Sequence, residues 1–156
     1  MGFRISGLGF ERFAPLVALS DEQLLGHEAR RMVADRHPGF PCRVSLVDAR
    51  PGERVLLVNY EHLPVFSPYR SRYAIYVREN ATAAHLAVDE IPPVLEKRLL
   101  SLRAFSTAGM LLDADVSQGG ELRGDIQRLL GRADVAYLHV HNARPGCYAA
   151  RVDRAA

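Results

Sequence analysis

Two histidines one residue apart, His139 and His141, and the cysteine that follows at Cys147 are the side chains in this sequence best equipped for chemistry. Imidazole changes charge near neutral pH, and an ionised thiol is a strong nucleophile. All three fall in the stretch Ala136–Arg151, which reads as two strands joined by an Asn-Ala-Arg-Pro-Gly turn. Side chains alternate between the faces of a strand, so Tyr137, His139 and His141 share one face. Ala136, Leu138 and Val140 share the other and suit a core. The pattern assigns His139 and His141 to proton transfer and Cys147 to nucleophilic attack. A His-x-His pair also suits a divalent metal, for which Asp113 and Asp115 on a strand of their own are the candidate carboxylates. No other cofactor is indicated, and the plainer reading keeps both histidines as hydrogen-bonded polar residues.

A second group of residues suits an anion. Ser67-Pro68-Tyr69-Arg70-Ser71-Arg72 gathers two guanidinium groups, hydroxyls and an aromatic ring in one loop. Guanidinium recognises carboxylate and phosphate through paired hydrogen bonds. Arg43, Asn59, Tyr60, His62, Tyr69, Arg70, Arg72, Tyr148 and Arg151 are therefore the candidate ligand-binding residues. The expected pocket lies between the 59–72 loop and the last hairpin and takes a small anionic ligand. Whether the protein is an enzyme stays open. The alternative is a structural or protein-interaction module, forming a homodimer and lacking a catalytic site, whose arginines pair with Glu61, Glu79 or Asp153.

The elements that must position these residues follow in chain order. Phe3-Arg4-Ile5 reads as an opening strand. Ser20-Asp21-Glu22-Gln23 is a capping box, and helical spacing of Leu24, Leu25, Ala29, Met32 and Val33 predicts a helix to about Asp35. Cys42–Val47 and Arg54–Tyr60, joined through Pro51-Gly52, predict a hairpin. Glu61–Arg72 reads as a polar loop and Tyr73–Arg78 as a strand. Pro92-Pro93 opens a short helical turn. Leu99–Phe105 and Met110–Val116 form a second hairpin, and Gly119-Gly120 is a turn before a helix over Glu121–Leu130. Hairpins make antiparallel neighbours. The expectation is one α+β domain over 1–156, a largely antiparallel sheet of about eight strands with two principal helices on one face.

Composition narrows the function classes. The chain has 156 residues, enough for one domain with a substantial core, and a net charge of +2, too small to indicate nucleic acid. No run approaches the roughly 20 apolar residues of a membrane span. Charged residues interrupt the first apolar stretch, so no signal peptide is read and the expected location is cytoplasmic. Cys42 and Cys147 are too few for a disulfide framework and are expected to be reduced.

Several motifs together carry a family likeness: Pro38-Gly39-Phe40-Pro41-Cys42-Arg43, Asn59-Tyr60-Glu61-His62 with Ser67-Pro68-Tyr69-Arg70, Arg103-Ala104-Phe105, and His139 through Arg151. On these the chain resembles the bacterial domain-of-unknown-function family 1203 over nearly its whole length. The resemblance implies a small, single-domain, bacterial cytosolic protein. It brings no reaction, cofactor or catalytic residue with it.

Overall fold

The computed structural model describes residues 1–156 and contains eight strands and four short α-helices. In order these are β1 (Phe3–Ser6), α1 (Ala14–Val17), α2 (Asp21–Leu25), β2 (Ala29–Val33), β3 (Arg54–Leu63), β4 (Ser71–Arg78), α3 (Pro93–Glu96), β5 (Leu99–Phe105), β6 (Leu111–Gln118), α4 (Leu122–Leu130), β7 (Tyr137–Asn142) and β8 (Tyr148–Arg154). The strands divide into a five-stranded sheet, ordered β1-β8-β7-β5-β6, and a three-stranded sheet, ordered β2-β3-β4. Every neighbouring pair in both sheets is antiparallel. The α+β expectation therefore holds, with the strands shared between two sheets and only α4 exceeding two turns.

Alternation gives the larger sheet two different faces. Leu100, Leu102, Ala104, Leu138, Val140, Ala150 and Val152 point to one side, where Leu122, Ile126, Leu129 and Leu130 of α4 complete the main core. The opposite face carries Ser101, Arg103 and Phe105 of β5 beside His141, His139 and Tyr137 of β7, in register. A bulge beside His141 admits one extra residue into β8, so Tyr148 and Arg151 both reach this polar face despite their odd spacing. The smaller sheet has its own core of Leu56, Val58, Ile75 and Val77 with Phe13, Leu24 and Val44.

Two sequence expectations give way. The helix begun by the Ser20 capping box ends at Leu25, and Ala29–Val33 pairs with β3 instead. Gly26 caps the helix, Glu28 turns the backbone into the left-handed region (φ 52°), and the apolar residues that mimic helical spacing gain more from a sheet edge. Cys42–Val47 is not a strand and does not pair with Arg54–Tyr60. It folds into a tight turn in which the Leu46 amide donates to the Cys42 carbonyl. Its β-branched and apolar side chains are used as plugs: Val44 fills the smaller core and Leu46 the larger. The other two hairpins form as read, β5 with β6 and β7 with β8. The polar loop is shorter than expected, because β3 runs on to Leu63 and β4 begins at Ser71.

Candidate functional site

The extension of β3 past Tyr60 brings a third histidine to the polar face of the larger sheet. The His62 ring lies 5.0 Å from that of His141 and 6.2 Å from that of His139, centroid to centroid. Tyr148 stacks on His62 at 5.6 Å and meets His139 edge-on at 5.0 Å. Phe105 and Tyr137 close the far side of His139. His139 and His141 are 3% and 1% exposed, which makes them core residues by burial.

Their protonation follows from that burial. Desolvation lowers His139 to about 3 and His141 to about 3, so both are neutral at physiological pH. His62 is lowered as well, first by burial and then by the Arg103 charge. His141 Nδ1 lies 2.9 Å from the Gly146 carbonyl; a neutral ring donates its proton there and keeps the lone pair on Nε2. Nδ1 of His62 and Nδ1 of His139 are buried without a hydrogen-bond partner. Arg103, half-buried and lowered by desolvation, reaches only Ser101 Oγ at 3.3 Å and has no carboxylate. No set of three His, Cys, Asp or Glu side chains converges as metal ligands would.

On the other side of the last hairpin lies a larger concavity. A cavity of about 860 Å³ opens between the turn after β7, the 36–43 segment, the start of β5 and the face of β3 and β4. Arg36, Arg43, Lys97, Arg98 and Arg144 line it, and no carboxylate does. Arg98 is held bidentately by Asp48, whose side chain is 7% exposed, and Arg36 pairs with exposed Asp35. Lys97 and Arg144 enter no ion pair. The turn that presents Asn142, Arg144 and Cys147 depends on Gly146, whose φ of 81° suits a residue without a Cβ.

Arg43 is the unusual member. Its guanidinium is 2% exposed and donates to the carbonyls of Tyr148 (2.7 Å) and Pro41 (2.5 Å) and to Cys147 Sγ (2.9 Å). Asn142 Nδ2 donates to the same sulfur at 3.4 Å, while Asn142 Oδ1 is buried and unpartnered. Burial pushes Arg43 below its ordinary value, and the sulfur of Cys147 is the largest influence in the opposite direction.

The residues singled out in the sequence thus separate into groups. Tyr60, His62, His139, His141 and Tyr148 lie together, at the end of β3 rather than in the loop after it. Arg43 and Cys147 form a second group with the cavity. Arg70 is spent on Glu61, Arg72 on Asn59, and Arg151 on Asp153 while lying over the Tyr137 ring. Tyr69 touches the edge of Phe105 from the loop. Asp113 and Asp115 do not join His139 and His141: they alternate onto the α4 side of β6, where Arg132 and Arg128 hold them. Arg103, Asn142, Lys97 and Arg98 were missed. Alternation against Leu102 and Ala104 signals Arg103, but nothing local marks the others as neighbours of Arg43.

Fold and site together define an α+β protein of two antiparallel sheets, with a basic, carboxylate-free cavity behind the same hairpin whose front carries neutral histidines. A family model described as a protein of unknown function, DUF1203, matches residues 39–154, and the chain belongs to that family. The matched span contains every histidine, arginine and cysteine of the two groups except Arg36. No curated protein and no solved structure matches the chain. No helix is long and apolar enough to cross a membrane.

Proposed function

We propose that the protein binds a small anionic ligand in the cavity behind the last hairpin. The observation that carries this reading is the lining: five basic side chains and no acidic one around about 860 Å³. Arg98 and Arg36 have their charges answered by Asp48 and Asp35 from outside the lining, but Arg43, Lys97 and Arg144 have no carboxylate partner, and an anion relieves the repulsion among them. Lys97 and Arg144, free of ion pairs, are the groups that would reach it, with Arg98 held in place by Asp48. The hairpin supplies one wall of this cavity. The opposite wall comes from the 36–43 segment instead of the 59–72 loop. Thermal unfolding in graded inorganic phosphate or citrate tests the reading. The wild-type melting temperature should rise with the anion beyond the effect of equal ionic strength of chloride, and the rise should vanish in Lys97→Ala/Arg144→Ala. Equal responses of wild type and double variant reject it.

A second location for the same ligand class rests on its own observation. Arg103 lacks a carboxylate, and the two orphaned imidazole nitrogens beside it lack partners. An anion carrying a hydroxyl would satisfy all three, with the neutral histidines available for proton transfer. Arg103→Ala should abolish the phosphate response if the ligand sits there and leave it intact if it sits behind the hairpin.

A further inference from the structure

A guanidinium buried away from water needs a compensating negative charge, because taking a charge out of water is far more costly than taking out a neutral polar group. Arg43 is 2% exposed and touches no carboxylate. Its contacts are two backbone carbonyls and the Cys147 sulfur. The two carbonyl dipoles accept its protons but carry no net charge. Cys147 is thus the one contact able to supply the anion, and a second donor, Asn142 Nδ2, also points at its sulfur. A sulfur that accepts from a cation and an amide is fixed in place on the cavity wall. Cys42 differs: its sulfur receives only the backbone amides of Ser45 and Arg78 and does not line the cavity.

Where the sulfur sits matters as much as its charge. Cys147 and Arg43 line the basic cavity, beside Asn142, a 94% buried side chain whose Oδ1 lacks a partner on the same wall. That orphaned acceptor is a place for a donor on a bound molecule. We infer that Cys147 is a nucleophile whose sulfur Arg43 and Asn142 hold at the cavity wall, and that it attacks small anionic electrophiles gathered by Lys97 and Arg144. The choice of electrophile rests on the anion-binding reading; the nucleophile does not. With a carbon electrophile the sulfur lone pair forms the S–C bond, and the bond from carbon to its leaving group breaks. The leaving group departs with the electron pair, and the thiol proton passes to solvent.

The test is alkylation of the intact protein at pH 6, where an ordinary thiol is less than about 1% ionised. Iodoacetate and iodoacetamide are compared, and peptide mass mapping separates Cys147 from Cys42. The expected result is that Cys147 reacts more than about tenfold faster than in the urea-unfolded chain, with iodoacetate preferred over iodoacetamide. Inorganic phosphate should slow the reaction. Arg43→Lys, which keeps the charge and loses the fork, should retain part of the rate; Arg43→Met is set aside because it endangers the fold. Rates at or below those of the unfolded chain overturn the nucleophile. Fast reaction without preference for iodoacetate overturns the capture of anions. The melting response of Cys147→Ser to phosphate reads anion binding separately, so an inert Cys147 with an intact response refutes this inference alone.

Discussion

His62 and Tyr148 stack with their ring planes 12° apart and their centroids at 5.6 Å, and through this contact the end of the smaller sheet rests on the larger one. The Tyr148 ring also touches Tyr60, His139 and His141, so one side chain joins β3, β7 and β8. It is 3% exposed. Removing a buried aromatic ring costs about 3–5 kcal/mol. Tyr148→Ala should lose stability on that scale in chemical denaturation, whereas Tyr148→Phe keeps every ring contact and should stay within about 1 kcal/mol of wild type. Equal losses in the two variants would shift the weight from the ring to its hydroxyl.

The histidines make stability depend on acid. In the folded protein His139 and His141 stay neutral down to about pH 3, because burial disfavours the imidazolium. The unfolded chain takes up both protons below about pH 6.5. The unfolded state therefore binds more protons throughout that interval, and stability falls as pH falls from about 6.5 toward 3. Two protons correspond to a slope of about 2.7 kcal/mol per pH unit well below 6.5. Denaturation curves at pH 8, 7, 6 and 5 should show stability flat above 7 and falling steeply below 6. His139→Phe should lower the slope by one proton; an unchanged slope would mean that His139 does not titrate on unfolding.

Local rules reached much of this architecture and part of the site. The capping box at Ser20, the hairpins β5–β6 and β7–β8 and the amphipathic α4 are specified by neighbours in sequence, and each forms as read. The failures share a cause. Ala29–Val33 and Cys42–Val47 carry apolar side chains whose spacing fits one element locally, while their environment is set by β3 and by two separate cores. The equipped face of β7 was legible because alternation is a local property. That Arg43 lies against Cys147, 104 positions along the chain, was not, because only the packed hairpin brings them together.

Glu79 has 6% of its side chain exposed and pairs with Arg31 and Arg54. Arg31 also binds Asp21 and the carbonyls of Val17 and Leu19, so this one carboxylate sits under the junction of α1, α2 and β2. Truncating one partner of a buried pair leaves the other charge uncompensated, at a cost of about 3–5 kcal/mol. Asp21 offsets part of that loss for Arg31, which places Glu79→Ala nearer the lower figure. Equilibrium denaturation should give a loss of about 3 kcal/mol, and Glu79→Gln, which keeps hydrogen bonding, a smaller one. A loss under about 1 kcal/mol would show that Asp21 alone suffices.

The adjacent glycines Gly119 and Gly120 form the turn from β6 into α4, and they should respond oppositely to the same substitution. A Cβ on Gly119 would lie 1.8 Å from the Glu96 carbonyl oxygen and 2.3 Å from its carbon. Those are backbone atoms at the end of α3, which also buries Val94 and Leu95, so neither side can yield without moving a helix that packs in the main core. A Cβ on Gly120 meets nothing within 4 Å, and neither glycine has a positive φ. Strain is therefore absent as a cause, and contact alone decides the outcome. Gly119→Ala should destabilise by about 3 kcal/mol or more, at or beyond the usual range for overpacking. Gly120→Ala should be neutral or slightly stabilising, because alanine reduces the freedom of the unfolded chain. Melting temperatures of the two single variants, compared side by side, check this directly. If Gly119→Ala melts with wild type, α3 does not abut the turn as closely as its carbonyl indicates.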